Sequence, residues 1–212
     1  MLLACVGHAA EHGPYPVAWQ IALTLHGHLM AHGQRADWLR AAHAGLRAAE
    51  ADEDDYGQAV MCWSLGYVLW ELGRHDEALR HSNRADSLYE RLDLGVEQAG
   101  ALLGLAASHR EQGDLDAAAR HARRSLRLYD EGAQPAGSAW ALFFLGSVLF
   151  DQGRLTAARE EFRRAGRPGG APRTSTPRCS RCGGSAPRTT RSASSARPCA
   201  ASPRCWPRTT GC

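Results

Sequence analysis

Glu71-Leu-Gly-Arg-His-Asp-Glu-Ala-Leu-Arg80 is the stretch that decides the fold, because it recurs with substitutions at residues 31–40, 111–120 and 151–160. The four copies align without a gap, and each lies forty residues from the next. Two sets of repeat-defining residues keep the same step, namely Gly33, Gly73, Gly113 and Gly153, and Leu25, Leu65, Leu105 and Leu145. A fixed step of this size indicates a repeat architecture in which each copy is one structural unit.

Each repeat-defining glycine follows an apolar helical pattern and is therefore predicted to end a helix. Glycine adopts the left-handed conformation found after a helix C-terminus at no steric cost. Three residues after three of these glycines lie Asp76, Asp116 and Thr156. Their side chains can accept hydrogen bonds from the free N–H groups that open a helix, so we predict that they are N-caps.

The apolar spacing predicts two helices in each unit. Ala59, Cys62, Leu65 and Leu69 share one helical face, which a single hairpin of helices cannot bury but a stack of hairpins can. The predicted fold is therefore an all-α, right-handed α-solenoid of about four hairpins. Helices are expected near residues 17–31, 36–51, 57–71, 76–92, 97–111, 116–131, 136–151 and 156–165.

Composition divides the chain into three predicted segments. Residues 1–16 look like the remnant of a preceding repeat, because Ala9-Ala-Glu11 matches Ala48-Ala-Glu50, and residues 17–166 form the array. Residues 167–212 are rich in Arg, Pro, Ser and Cys, contain nine Arg and no acidic residue, and are predicted to be disordered. The first 166 residues carry 16 Arg against 22 acidic residues, so an acidic array precedes a basic tail.

The basic tail has three interpretations. It could contact nucleic acid or acidic partners, or Cys179, Cys182, Cys199 and Cys205 could bind zinc, although the second cysteine pair is loosely spaced. It could also be a frameshift product, because the codons for residues 177–186, read in a neighbouring frame, are compatible with a further Leu-Gly helix pattern forty residues after Leu145-Gly146. Of the three, we favour the frameshift.

The units resemble tetratricopeptide repeats, most clearly at Leu65-Gly66, Gly73, Ala78 and Ala85. The forty-residue step resembles the longer repeats at the C-terminal end of actinobacterial transcriptional regulators of the SARP and NB-ARC type, in which a winged-helix domain and an NTPase domain precede the array. Val17-Ala-Trp19 followed by Asp37-Trp-Leu39 looks like the first array unit of those regulators. The resemblance covers residues 1–166.

The resemblance implies a binding surface. In tetratricopeptide arrays the first helix of each unit lines an inner groove, and aromatic and Arg side chains dominate protein-binding hot spots. Carried over by repeat phase, the predicted groove residues are Trp63, Tyr67, Trp70, Arg110, Trp140, Phe143 and Phe150, with Met30, Glu71, Leu103, Ala107 and Ser147 beside them. An alternative is that these aromatic residues simply fill the space between helices.

Other candidate sites have simpler interpretations. The pairs His8/His12 and His28/His32 have a metal-binding spacing but no accompanying carboxylate motif, residues 52–55 are most simply a solvated acidic loop, and Cys62 is expected in the core. All 25 basic residues are Arg, so no phosphate-binding loop that needs Lys is possible. We therefore predict no catalytic site, no metal and no cofactor.

The sequence thus predicts a protein–protein interaction scaffold in a cytoplasmic setting, because it shows no signal peptide and no apolar run of membrane-spanning length. The expected partner is another protein or other domains of a parent bacterial regulator, with no membrane partner and no specific nucleic acid bound by the array. The alternative function is binding of nucleic acid or an acidic partner through the tail.

Overall fold

A computed structural model of the chain describes residues 2–166. The described residues form nine helices: α1 (Leu2–His12), α2 (Tyr15–Ala31), α3 (Arg35–Ala51), α4 (Asp55–Glu71), α5 (His75–Arg91), α6 (Gly95–Glu111), α7 (Leu115–Glu131), α8 (Pro135–Asp151) and α9 (Leu155–Ala165). The tail from residue 167 onward, and with it the frameshift, zinc and nucleic-acid hypotheses, lies outside the described residues.

The helices confirm the predicted all-α solenoid of helical hairpins. The four hairpins are α2/α3, α4/α5, α6/α7 and α8/α9, and each packs against the next in chain order. Every predicted helix is present, with ends within about two residues of those expected. Helix α1 contacts both α2 and α3, and its Ala9 packs with Ala18 and Ala48 in a small apolar cluster.

The glycine turns confirm the predicted left-handed helix ends. Gly33, Gly73, Gly113 and Gly153 have φ angles of +67°, +75°, +83° and +74°. At the first of these turns, the N–H of Gly33 donates to the carbonyl of Met30 and the N–H of Gln34 donates to the carbonyl of Leu29. This pair of bonds satisfies carbonyls that the helix end would otherwise leave free.

The same turn also joins one hairpin to the next, but there the left-handed residue is not glycine. Glu53, Asp93 and Ala133 have φ angles of +52°, +56° and +51°. The turns therefore recur every twenty residues, at half the sequence period, and Gly13, with a φ angle of +79°, starts the series between α1 and α2. The glycine repeat gave no signal for the left-handed residue in these three turns, although the gaps between the predicted helices placed the turns themselves.

Ala133→Gly is expected to raise the free energy of unfolding by about 0.5–1 kcal/mol. Alanine in the left-handed conformation is strained by about 1–2 kcal/mol, and glycine relieves this strain. Part of the gain is lost because glycine has more backbone freedom in the unfolded chain. Urea unfolding followed by circular dichroism measures the change. Gly73→Ala is the matched reverse variant and should lower stability; a loss of stability in both variants would contradict the strain argument.

The residues predicted to be N-caps are not N-caps in the structure. The helices begin one or two residues earlier than expected, so Asp76, Asp116 and Thr156 lie inside the first turn rather than before it. The side chain at the N-cap of α7 is instead Asp114, which accepts a hydrogen bond of 2.9 Å from the N–H of Ala117. Because the turn after each glycine is so short, it leaves no room for a later cap.

Asp76 and Asp116 instead link neighbouring hairpins. The side-chain amide of Gln112 donates to Asp76 Oδ1 at 2.7 Å, and that of Gln152 donates to Asp116 Oδ1 at 3.0 Å. The second pair lies forty residues after the first, so the bond is itself repeated. These exposed polar links add little free energy but fix the register between hairpins.

The core follows the repeat. Leu65, Leu105 and Leu145 are buried, whereas Leu25, in the first hairpin, is only half-buried. Close helix contacts need small residues at defined places: a Cβ on Gly137 would overlap the ring of Tyr129 in the preceding hairpin. Close-packed interiors do not allow such an overlap, so glycine at this position lets α7 and α8 pack together.

Candidate functional site

The predicted groove residues all lie on first helices of the hairpins. These helices contact one another in succession, α2 with α4, α4 with α6 and α6 with α8. Within the described residues, the second helices are linked by side chains, such as Arg84 of α5 with Glu50 of α3 at 2.6 Å, but no two of them pack backbone against backbone. The first helices therefore stand closer together, and they form the inner side of the stack of hairpins.

Three predicted residues of α4 belong to a packed aromatic cluster. Trp63 stacks on His26 with ring centroids 4.8 Å apart, and Tyr67 lies 5.5 Å from Trp38 and 5.8 Å from Trp70. We call these five residues the first aromatic cluster. Trp38 and Trp70 are buried, and Trp63 and Tyr67 are half-buried, so only part of each ring reaches the surface.

Ser64 lies at the polar centre of the first aromatic cluster. The indole N–H of Trp38 donates to Ser64 Oγ at 2.8 Å, and the same oxygen lies 2.9 Å from His26 Nδ1. The indole can only donate, and a Ser hydroxyl that accepts from it still has its own proton to donate to Nδ1. We assign His26 as neutral on this basis, with its proton on Nε2.

Burial lowers the pKa of His26 from 6.5 to about 4, because the ring has little water around it to solvate a charge. Between these two pH values the unfolded chain binds a proton that the folded chain does not. His26 alone is therefore expected to lower the free energy of unfolding by about 3 kcal/mol as the pH drops from about 6.5 to about 4.

This pH dependence can be assigned to His26 by comparison with His26→Phe. Burial also lowers the pKa of His43, His81 and His121, and these groups contribute a slope of the same sign that both proteins share. Urea unfolding at a series of pH values measures how the free energy of unfolding depends on pH. This dependence should be less steep for the variant, by the equivalent of up to one bound proton. Identical slopes would show that His26 does not titrate in this way.

Sequence reasoning missed His26 and Trp38 as members of the cluster. The matching positions in later units hold small residues: Gly66, Ala106 and Gly146 for His26, and Ala78, Ala118 and Ala158 for Trp38. The first hairpin therefore replaces a small pair with two large rings, which meet edge to face at 4.6 Å. The sequence did contain a signal for the cluster: the first unit has a large residue at two positions where the later units have small residues.

The middle of the inner side, on α6, carries smaller side chains, and its Arg is paired with an acidic residue. Arg110 Nε donates to Asp151 Oδ2 at 2.5 Å, which ties the end of α6 to the end of α8. Arg35, at the start of α3, bonds to Glu71 at the end of α4 at 2.7 Å. The Arg110 guanidinium is therefore engaged within the array, and Leu103 and Ala107 beside it are half-buried and buried.

The predicted residues of α8 form a second group that is far more exposed. Phe143 contacts Trp140 at 6.2 Å and Phe162 of α9 at 5.6 Å between ring centroids, and half of its surface is exposed. Phe150 is also 50% exposed, and Leu155 at the start of α9 is 60% exposed. We call Phe143, Phe150 and Leu155 the end face.

Among the described residues, no three or more of His, Cys, Asp and Glu come together in a group that could hold a metal ion. His32 Nδ1 bonds to the carbonyl of His28 at 2.8 Å. Within the acidic run at residues 52–55, Asp54 accepts hydrogen bonds from the N–H groups of Tyr56 and Gly57 and caps α4. Asp54 therefore has a structural role beyond that of a solvated loop residue. Burial raises the pKa of the Cys62 thiol to about 11, as a core cysteine requires.

Comparison with known proteins identifies the repeat. A family model described as "Tetratricopeptide repeat" matches residues 58–131 and 97–165, which together span just over half of the chain. Among solved structures, the crystal structure of BtubC (BKLC) from P. vanneervenii matches with a TM-score of 0.65 and 18% sequence identity, over 88% of this chain and 72% of that one. No curated protein sequence matches. No helix among residues 2–166 is long and apolar enough to cross a membrane.

Proposed function

The chain belongs to the tetratricopeptide repeat family, and we propose that it is a protein-interaction scaffold, a fragment of a larger bacterial transcriptional or signalling regulator. One observation supports the scaffold most strongly. An array that buries Leu65, Leu105 and Leu145 almost completely leaves Phe143 and Phe150 each 50% exposed on one helix. Exposed aromatic side chains at neighbouring positions are typical of surfaces that bind protein.

The proposed surface runs along the inner side of the array from the first aromatic cluster to the end face. Phe143, Phe150 and Trp140 supply its accessible aromatic area, the partly exposed edges of Trp63 and Tyr67 continue it, and Trp70 supports it from below. Arg110 lies between the two groups and offers a guanidinium that a partner carboxylate could share with Asp151. Such a surface suits an apolar segment of a partner protein.

The parent regulator is supported by the resemblance of the forty-residue step and of residues 17–39 to actinobacterial regulators. In that setting the partner is either a second protein or another domain of the same parent, and the setting is the cytoplasm. The proposal includes no catalysis, metal or cofactor.

The double variant Phe143→Ala/Phe150→Ala is expected to reduce capture of the protein partner at least tenfold. Two exposed aromatic anchors each contribute about 1–2 kcal/mol or more to a protein interface, and their loss leaves the core intact. Affinity capture from a lysate of the source cells, quantified by mass spectrometry, measures the effect. Circular dichroism should stay unchanged.

The matched control is Arg123→Ala, an exposed residue on α7, a second helix. It should retain every protein that the unaltered chain captures. Equal capture by all three proteins would remove the inner side from the proposal. Alanine at Trp63, Tyr67 and Trp70 together is a weaker test, because these side chains also hold the core of the first two hairpins together.

A further inference from the structure

The end face differs from the same surface in earlier hairpins. The residues forty and eighty positions before Phe143 are Leu103 and Trp63, and both are half-buried. The residue eighty positions before Phe150 is Trp70, which is only 8% exposed. Leu115, forty positions before Leu155, is half-buried, whereas Leu155 is 60% exposed. Three equivalent positions therefore change from covered to open in the last hairpin.

At Trp63, the covering element is the first helix of the next hairpin. Helix α6 contacts both α4 and α5, and its Gly100 lies against the indole of Trp63. A Cβ at Gly100 would lie 3.3 Å from Trp63 Nε1, which is tighter than ordinary packing. The first helix α6 thus covers Trp63 by presenting a small residue to the large side chain.

We propose that the end face docks an amphipathic helix of a partner protein, in the position that the first helix of a following hairpin would take. The helix presents a Gly or Ala to Phe143 and apolar side chains to Phe150 and Leu155. This inference rests on the proposed scaffold function and names the kind of partner. Its physical basis is continuity, because the same interface is already built three times within the array.

A second copy of this chain is a poor occupant of the end face. Docking in this mode needs a first helix with an uncovered apolar side. In the described residues α4, α6 and α8 each pack between a preceding second helix and their own second helix, and α2 is covered by α1 and α3. Among the described first helices, α8 keeps an uncovered apolar side, but this side is the end face itself, where a copy would set aromatic side chains and not a Gly or Ala against Phe143.

The experiment uses the full chain and, as probe, a fluorescein-labelled peptide with the sequence of α6, Gly95–Glu111. This helix covers the equivalent surface two hairpins earlier, so it carries the required pattern. Fluorescence anisotropy should show saturable binding. Phe143→Arg and Phe150→Arg should each weaken it at least tenfold, and a peptide with Gly100→Leu should bind at least tenfold more weakly than the parent peptide.

The control is Leu2→Arg, which changes a side chain that is 53% exposed on α1 and should leave binding unchanged. Binding that is indifferent to Phe143→Arg or to Gly100→Leu would overturn the proposed mode, and so would no saturable binding. A Phe143-dependent dimer of the full chain in sedimentation would overturn it in favour of a second copy. If peptide binding fails while Phe143→Ala/Phe150→Ala still lowers protein capture, the scaffold function stands and only the helical mode is wrong.

Discussion

Replacing Leu105 with alanine is expected to lower the free energy of unfolding by about 3–5 kcal/mol. The Leu105 side chain is fully buried in α6, in the third of the four hairpins. Its removal loses the transfer free energy of the buried methyl groups and leaves a cavity that stacked helices cannot readily close. Urea unfolding followed by circular dichroism measures the loss, and hydrogen exchange should show it first in α6 and α7.

Leu25→Ala is the matched control, because it makes the same change at the same repeat position. Leu25 is only half-buried and lies in the first hairpin, so its loss should cost clearly less than that of Leu105. In a repeat array each unit contacts only its neighbours, and stability is close to a sum of local terms. Equal losses in the two variants would show that the burial of the repeat-defining leucines does not set their contribution.

Trp38→Ala is expected to cost about 3–5 kcal/mol as well. Trp38 is 1% exposed, contacts the rings of His26 and Tyr67, and donates a hydrogen bond to Ser64. Alanine removes the largest fully buried side chain among the described residues and gives water access to His26. The pKa of His26 should therefore rise toward its ordinary value, which an NMR titration of the ring can follow.

Trp38→Phe separates packing from hydrogen bonding. It keeps most of the ring but removes the N–H donor, so we expect a loss of about 1–2 kcal/mol and a smaller rise in the pKa of His26. If alanine and phenylalanine cost the same, the hydrogen bond to Ser64 would account for the whole effect. If neither variant moves the pKa of His26, water exclusion by Trp38 does not cause its depression.

The fold was largely predictable because a repeat supplies its own alignment. The forty-residue step located every helix of the four hairpins, and the glycines located the turn within each hairpin. The gaps between the predicted helices placed the turns between hairpins, but their left-handed residues, Glu53, Asp93 and Ala133, were not foreseen because none of them is glycine. Their conformation is imposed by the packing of the flanking helices, which overrides local preference.

The site was predictable in its helices but not in its exposure. Repeat phase placed Trp63 and Phe143 at equivalent positions, yet one stacks on His26 within the array and the other is half open to solvent. That difference depends on the helices that pack over each hairpin in space, which no local pattern encodes. The N-caps failed for a related reason, since the length of a turn, and not the presence of an acidic residue, fixes where the next helix begins.

The central claim is that the inner side of the array, ending at Phe143 and Phe150, binds another protein. Its most direct test places a photo-crosslinking phenylalanine analogue at Phe143 in living source cells, and at Arg123 on α7 as the control position. We expect a discrete protein adduct from position 143, absent from position 123 and identifiable by mass spectrometry. Adducts from position 123 with none from position 143 would contradict the account.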